Sequence, residues 1–134
     1  MKAWILNTPA SVNERPLTAV ETPMPTPSED EILLRVHACG ICRTDLHIVE
    51  GELPVRHTPL IPGHQIVGHV TALGSRVDGM AIGDRVGVAW LNHTCGVCRF
   101  CLSQRENLCE RAEFTGWTVD GGYAEYAVAP AAYT

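Results

Sequence analysis

Residues 31–38 read EILLRVHA, a stretch in which the apolar residues Ile32, Leu34 and Val36 recur at every second position. Because alternate side chains of a β-strand point to opposite faces, this stretch predicts a strand with one buried face. Residues 66–73, 85–90 and 123–128 are also strand-like, since they alternate or are rich in valine. Several short strands separated by turns predict a mainly β domain, either a small barrel or a sandwich.

The remaining segments predict loops and short helices. Nine prolines and 12 glycines interrupt the chain, and both residue types disfavour long helices. Three prolines between Glu21 and Asp30 indicate an extended loop. Short helices are predicted over 44–49, with Thr44 or Asp45 as the capping residue, and over 100–108.

Length and charge exclude several classes of function. The 134 residues suit one domain, and the net charge of −5 argues against a nucleic-acid partner, because phosphate contacts need clustered Lys and Arg. No apolar run is long enough to span a membrane. The N-terminus has too few apolar residues for a signal peptide, so a cytoplasmic protein is expected. Its six cysteines are then expected as thiols or metal ligands, whereas a secreted source would favour three disulfides.

Four of the cysteines form a closely spaced cluster with the pattern C-x2-C-x2-C-x7-C, namely Cys95, Cys98, Cys101 and Cys109. Two-residue gaps let consecutive thiolates converge, and the longer gap lets the chain close a tetrahedron. Zinc accepts four thiolates in this geometry, and a site filled by protein ligands is structural. Buried thiols acting as small hydrophobes, a redox C-x-x-C pair and an iron–sulfur cluster are the alternatives.

A second group of chemically active residues lies between positions 42 and 65. Residues 42–47 read CRTDLH, and residues 62–65 read PGHQ, in which Gly63 leaves room beside His64. A cysteine and a distant histidine are typical of an open zinc site, which leaves one coordination position for water or substrate. Taken singly, Cys42 fits a core residue and His64 fits an ordinary hydrogen-bonded histidine, so both interpretations stay open on spacing alone.

Together, these motifs resemble the zinc-dependent alcohol dehydrogenases of the medium-chain dehydrogenase/reductase superfamily. The resemblance rests on CRTDLH at 42–47, PGH at 62–64, GDRV at 83–86, the four-cysteine pattern, and GGYAEY at 121–126. It covers nearly the whole chain, in the order that the family has. It implies a GroES-like catalytic domain over 1–134, a partly open β-barrel with short helices and a zinc lobe at about 92–112.

The resemblance also implies a role for each residue of the CRTDLH segment. Cys42 and His64 would be two ligands of a catalytic zinc, and Asp45 would orient His64. Thr44 would hydrogen-bond the substrate oxygen, and His47 would pass its proton towards solvent. Arg43 would face the cofactor pyrophosphate.

The reaction that the resemblance implies is oxidation of a small-molecule alcohol to an aldehyde or ketone by NAD or NADP. Zinc would act as a Lewis acid on the alcohol oxygen, Thr44 and His47 would remove the proton, and the nicotinamide would take the hydride. The four cysteines Cys95, Cys98, Cys101 and Cys109 would hold a structural zinc. Self-association through a face that a second domain normally covers is a further expectation.

Two features depart from the family pattern. No G-x-G-x-x-G fingerprint occurs in the 134 residues, so the Rossmann cofactor domain and the third zinc ligand are expected to be absent and the isolated chain inactive. Gln65 stands where many relatives have glutamate, which would leave the site one unit more positive. A non-enzymatic GroES-like module that binds metal or a protein, and a stand-alone zinc-lobe interaction protein, are the alternative functions.

Other conspicuous side chains are assigned to packing. Cys39 is expected as a small apolar side chain near the end of a strand. Trp4, Trp90 and Trp117 are expected as core anchors, with Trp90 or Trp117 also able to line a cleft.

Overall fold

Eight β-strands and one α-helix carry the regular structure of the computed structural model, which describes residues 1–134. Their order is β1 (Lys2–Leu6), β2 (Leu17–Glu21), β3 (Glu31–Gly40), α1 (Arg43–Val49), β4 (Gln65–Leu73), β5 (Arg85–Val88), β6 (Leu91–His93), β7 (Glu113–Phe114) and β8 (Tyr126–Pro130). The strands form a four-stranded antiparallel sheet in the order β5-β4-β3-β8 and two hairpin-like pairs, β1-β2 and β6-β7. The expected mainly β fold is confirmed, and the sheets do not close into a barrel.

The inner face of the four-stranded sheet supplies the main core. Leu34, Ile66, Val88, Ala127 and Ala129 are buried together there. Burying a Leu, Ile or Val side chain stabilises a fold by roughly 1.5–3 kcal/mol, so this face holds the strands in register. The alternation predicted for 31–38 is what places Leu34 on this face.

A second, smaller core fixes the helix against the first strand. It contains Leu6 of β1, Ile48 and Val49 of α1, and Leu60, with Trp90 and Trp117 packed at its edge. Backbone hydrogen bonds of 2.8 and 3.0 Å join Leu6 and Leu60 in both directions. The helix that carries the CRTDLH segment is therefore anchored by its apolar face.

Helix α1 begins one residue before the predicted start, and the prediction that Thr44 or Asp45 caps it was wrong. Cys42 is the N-cap residue, and the Asp45 carboxylate reaches back to accept the Cys42 N–H at 2.7 Å. An acidic side chain in the first turn satisfies an amide that the helix leaves unpaired. The cap thus joins Cys42 to Asp45.

The helix predicted over 100–108 is instead two short 3-10 turns, Cys101–Ser103 and Glu106–Leu108. Gln104 separates them with a left-handed backbone, φ 58°. A continuous helix is interrupted at such a residue. The two tight turns bring the cysteines of this segment towards one point.

The segment Gly121–Tyr123 holds the loop that precedes His64. Its three backbone N–H groups donate to the carbonyls of Ile61, Gly63 and Pro62 at 2.7–3.0 Å. Gly63 has φ +96°, and a Cβ there would lie 2.6 Å from the Tyr123 ring and 2.8 Å from the Cys39 Sγ. Glycine is required at this position both for its backbone angle and for its lack of a side chain.

The other predicted elements agree with the structure in part. Strands β3 and β4 cover the predicted stretches, whereas β5 ends at Val88, two residues before the predicted end, and β8 starts three residues later than predicted, at Tyr126. Residues 22–30 form the expected loop. None of the helices combines the length and the apolar character that crossing a membrane would demand.

Candidate active site and zinc lobe

The four cysteines of the C-x2-C-x2-C-x7-C pattern converge in one cluster. Their Sγ atoms all lie within 4.8 Å of one another. The separations are 3.5 Å for Cys98–Cys101, 3.5 Å for Cys95–Cys109 and 4.0 Å for Cys95–Cys101. A zinc ion with sulfur ligands at about 2.3 Å has sulfur–sulfur edges of roughly 3.8 Å, so the three separations are close to those of a tetrahedral zinc site.

Backbone amides support the sulfurs of this cluster. The N–H groups of Cys95 and Arg111 donate to the Cys109 Sγ, each at 3.4 Å. The N–H of Val97 is the main cause that lowers the pKa of the Cys95 thiol to about 6, and the N–H of Cys101 is the main cause that lowers the pKa of Cys98. Donors aimed at sulfur favour thiolate, the form that binds metal.

The surroundings of Cys101 act in the opposite direction. Desolvation raises its thiol pKa to about 11. In a metal-free lobe, the thiols of Cys95 and Cys98 therefore ionise more readily than the thiol of Cys101. A bound cation would remove this difference, because a metal-coordinated thiol is deprotonated outright.

One buried carboxylate links the two other predicted metal ligands. Asp45 is 2% exposed and His64 is 5% exposed. The Asp45 Oδ1 lies 3.0 Å from the His64 Nδ1, and the Oδ2 accepts the Cys42 N–H. With Nδ1 bonded to the carboxylate, the Nε2 of His64 is left as the nitrogen able to bind a metal.

An aromatic cluster covers one side of His64. The Trp90 ring lies 5.0 Å from the imidazole in an edge-to-face arrangement, and it stacks on Phe114 at 4.9 Å and on Trp117 at 5.8 Å. The Trp117 indole N–H donates to the Pro54 carbonyl at 3.0 Å. Trp90 and Trp117 are therefore partly core residues, as expected, while Trp4 is 52% exposed and the prediction that it anchors the core was wrong.

The three other predicted site residues, Arg43, Thr44 and His47, all lie on α1. The Cys42 Sγ is 3.9 Å from the Thr44 Oγ1, and Arg43 is exposed. His47 is half-buried on the same helix, and its Nδ1 is hydrogen-bonded to the Glu52 Oε2. Glu52 was not among the residues singled out in the sequence, because nothing in its spacing connects it to His47.

Cys39 and Tyr123 pack behind the site. Cys39 is partly buried against the main core near the end of β3, as expected. Burial raises its thiol pKa. Burial also raises the pKa of the Tyr123 hydroxyl, and the charge of Asp45 adds to that effect. Tyr123 lies in the GGYAEY motif, but no sequence pattern indicates that it lies beside Asp45.

Gln65 does not enter the hydrogen bonds of Asp45 and His64. It begins β4 opposite Gly40. Its side chain packs over Gly40, where an added Cβ atom would lie 2.7 Å from the Gln65 Oε1. The consequence of having glutamine here therefore stays a prediction.

These features define a class of protein, namely a cysteine-rich β domain with a closed four-thiol cluster and a separate Cys–Asp–His site. Residues 28–134 match the family model of the alcohol dehydrogenase GroES-like domain. The chain belongs to this family, and the resemblance noted in the sequence is confirmed.

Individual relatives agree with the family assignment. The chain is 51% identical to AdhA of Mycobacterium tuberculosis over 138 aligned residues, which cover 99% of the chain and 40% of the relative. It is 49% identical to an alcohol dehydrogenase of Geobacillus stearothermophilus over 121 residues, 90% of the chain and 36% of the relative. The chain thus spans less than half the length of these relatives. AdhA is named as a probable alcohol dehydrogenase and the second relative as an alcohol dehydrogenase, and these names do not favour the alternative of a non-enzymatic module.

Solved structures show the same architecture. The cobalt- and zinc-bound thermostable alcohol dehydrogenase of Pyrobaculum aerophilum superposes with a TM-score of 0.90 at 36% identity, over 99% of this chain and 40% of that one. A short chain alcohol dehydrogenase (rspB) from E. coli CFT073 complexed with NADH superposes with a TM-score of 0.85 at 33% identity, over 99% of this chain and 37% of that one.

Proposed function

We propose that residues 1–134 are the catalytic domain of a zinc-dependent alcohol dehydrogenase that oxidises small-molecule alcohols with NAD or NADP. The observation that carries the proposal is the Asp45 carboxylate, which binds both the Cys42 backbone and the His64 imidazole. A carboxylate with a purely structural role would need to hydrogen-bond to only one of these two residues. A carboxylate that bonds to both at once supports a shared role for these two residues at one metal ion.

Cys42 and His64 are the proposed ligands of the catalytic zinc. His64 would bind through Nε2, since Asp45 occupies Nδ1, and Cys42 would bind through its thiolate. When bound there, zinc supplies a Lewis acid that stabilises negative charge on an alcohol oxygen. Two protein ligands leave the site incomplete within these residues, so a further ligand comes from outside them.

Cys95, Cys98, Cys101 and Cys109 are the proposed ligands of a structural zinc. The fit of their sulfur positions to a tetrahedron supports this assignment. Zinc there supplies a cross-link between the two 3-10 turns of the lobe, at about 92–112. The four thiols leave no position for a substrate.

Thr44 and His47 are the proposed residues that move the proton. The Thr44 hydroxyl lies beside the Cys42 sulfur and would accept the proton of an alcohol bound near that ligand. His47 would carry it to solvent, and Glu52 holds its Nδ1. An Nδ1–H bonded to a carboxylate leaves Nε2 as the acceptor that a relay needs.

The cofactor contacts of this domain are proposed to be limited. Arg43 is exposed next to Cys42, where its guanidinium would bind a pyrophosphate. A nicotinamide ring supplies the hydride acceptor. The residues that bind the rest of the dinucleotide would lie outside 1–134, so these residues alone would not turn over alcohol.

The proposal also includes a cellular location for the protein and self-association of the isolated domain. Six free thiols fit a reducing compartment such as the cytoplasm. Exposed apolar side chains, including Ile41 at 81% and Ile82 at 70%, support self-association of the domain when it is isolated.

A chimera tests the proposed function. Residues 1–134 would replace the matching segment of the Geobacillus stearothermophilus alcohol dehydrogenase, which is 49% identical. We expect alcohol-dependent reduction of NAD or NADP that is lost in Cys42→Ser and His64→Ala and retained in Cys39→Ser. A folded, zinc-loaded chimera that keeps its activity with Cys42→Ser would overturn the proposal. Turnover by the pure 134-residue chain would overturn the claim that it is inactive alone.

A further inference from the structure

Two histidines that the proposed function does not use are in direct contact on the four-stranded sheet. The Nδ1 of His69 lies 3.1 Å from the Nε2 of His37. Their ring centroids are 4.4 Å apart, with the planes tilted by 52°. At this distance a single proton bridges the two nitrogens, donated by one ring and accepted by the other.

An irregularity in the sheet brings the rings together. The pairing of β3 with β4 shifts between Val36 and Ala38, so His37 has no partner directly opposite, and His69 pairs with Arg35. An extra residue in a strand re-aims its side chain. His37 is exposed and His69 is partly exposed, so the pair is open to solvent.

The two nitrogens match the spacing of neighbouring ligands on one metal ion. With metal–nitrogen distances of about 2.0–2.1 Å, ligands separated by an angle between a right angle and the tetrahedral value lie roughly 2.9–3.4 Å apart. The observed 3.1 Å lies within this range. Moreover, both strands belong to the central sheet, which fixes the separation of the two backbones in advance.

We propose that His37 and His69 form an accessory site that chelates a late first-row divalent cation such as Ni²⁺, Cu²⁺ or Zn²⁺. The metal takes the place of the bridging proton, which returns through solvent to the other nitrogen of the ring that donated it. Each imidazole stays neutral by keeping its proton on the other nitrogen. Water completes the coordination, since no third ligand side chain contacts the pair.

The lack of a carboxylate beside the pair limits which ions bind. Arg35 and Arg85 lie directly opposite His69 in the sheet register, on β3 and β5. Neither imidazole forms an ion pair with a carboxylate. Hard cations such as Mg²⁺ and Ca²⁺ need oxygen ligands and are excluded, whereas the ions named above bind neutral imidazole.

Nickel titration of the zinc-loaded chain tests the site, with the six histidine ring signals followed one by one by NMR at about pH 7.5, where free imidazole is neutral. Paramagnetic Ni²⁺ should broaden the signals of His37 and His69 together and before the other four. His37→Ala and His69→Ala should each weaken this binding at least tenfold. His57→Ala, which removes a histidine whose ring is hydrogen-bonded to the Pro59 carbonyl, should leave it unchanged.

Several outcomes would overturn the proposal. One is broadening of His57 or His93 at the same nickel concentration as His37 and His69. Another is a nickel affinity that falls by less than twofold in both His37→Ala and His69→Ala. A hydrogen-bonded pair with no metal function gives these results. His64 is followed separately in the same spectra, so nickel at the proposed catalytic site is distinguished from nickel at the sheet.

Discussion

The Asp45 carboxylate lies 3.0 Å from the His64 Nδ1 and at the same time accepts the Cys42 N–H at 2.7 Å. Both contacts are made by a side chain that is only 2% exposed. A buried carboxylate that satisfies two donors is strongly favoured over one that satisfies none. The contact therefore stabilises the fold as well as orienting the imidazole.

Asp45→Asn should reduce stability measurably. An amide can accept from only one of the two donors through its oxygen, and its NH2 group then faces the other donor. We expect the free energy of unfolding to fall by about 1–3 kcal/mol, the usual cost of an unsatisfied buried polar group. Urea denaturation measures it. Asp78→Asn, at an exposed turn, should change it by less than about 0.5 kcal/mol, and equal effects of the two variants would refute the special role of Asp45.

Glu52→Ala should change the tautomer of His47. The carboxylate fixes the proton on Nδ1 in the native chain, and without it the Nε2–H form should become the major one. The ¹⁵N shifts of the ring, recorded well above the ordinary histidine pKa of about 6.5, report the tautomer. The same change at the exposed Glu106 should have no effect. An unchanged His47 spectrum in Glu52→Ala would show that Glu52 does not hold the ring.

Trp90→Ala should be far more destabilising than Trp4→Ala. Trp90 packs against His64, Phe114 and Trp117, whereas Trp4 is about half exposed. Removing a packed tryptophan costs about 3–5 kcal/mol when it is fully buried, so a loss of about 2–4 kcal/mol is expected for the partly buried Trp90. Thermal or urea unfolding of both variants provides the comparison, which a similar loss in Trp4→Ala would contradict.

Local sequence patterns predicted the elements whose burial is periodic. The alternation at 31–38 and the valine-rich stretch at 66–73 correspond to β3 and β4, because each strand buries one face against the same core. The β1-β2 pair was not predicted. Its burial pattern is irregular, with only Ala3 and Leu6 buried in β1. Its pairing joins segments separated by ten residues, which include a short 3-10 helix at Val12–Glu14.

The four-cysteine cluster was predictable because its ligands are close in sequence and chemically unusual. The contacts of Glu52 and Trp90 were not, since a surface glutamate and a tryptophan after a strand have no spacing that indicates a partner. Asp45 was placed beside His64 only through the family resemblance. The capping residue of α1 was mispredicted because cysteine is not a usual N-cap residue; Asp45 contributes from the first turn only by accepting the Cys42 N–H.

The zinc content of the purified chain tests the two-site account most directly. A closed four-thiolate site retains its metal through purification, whereas a site with two protein ligands does not. Native mass spectrometry should find one zinc per chain, absent from the Cys98→Ser/Cys101→Ser variant and unchanged in Cys39→Ser. Zinc that persists in the double variant, or a wild-type chain that is folded and binds none, would contradict the account.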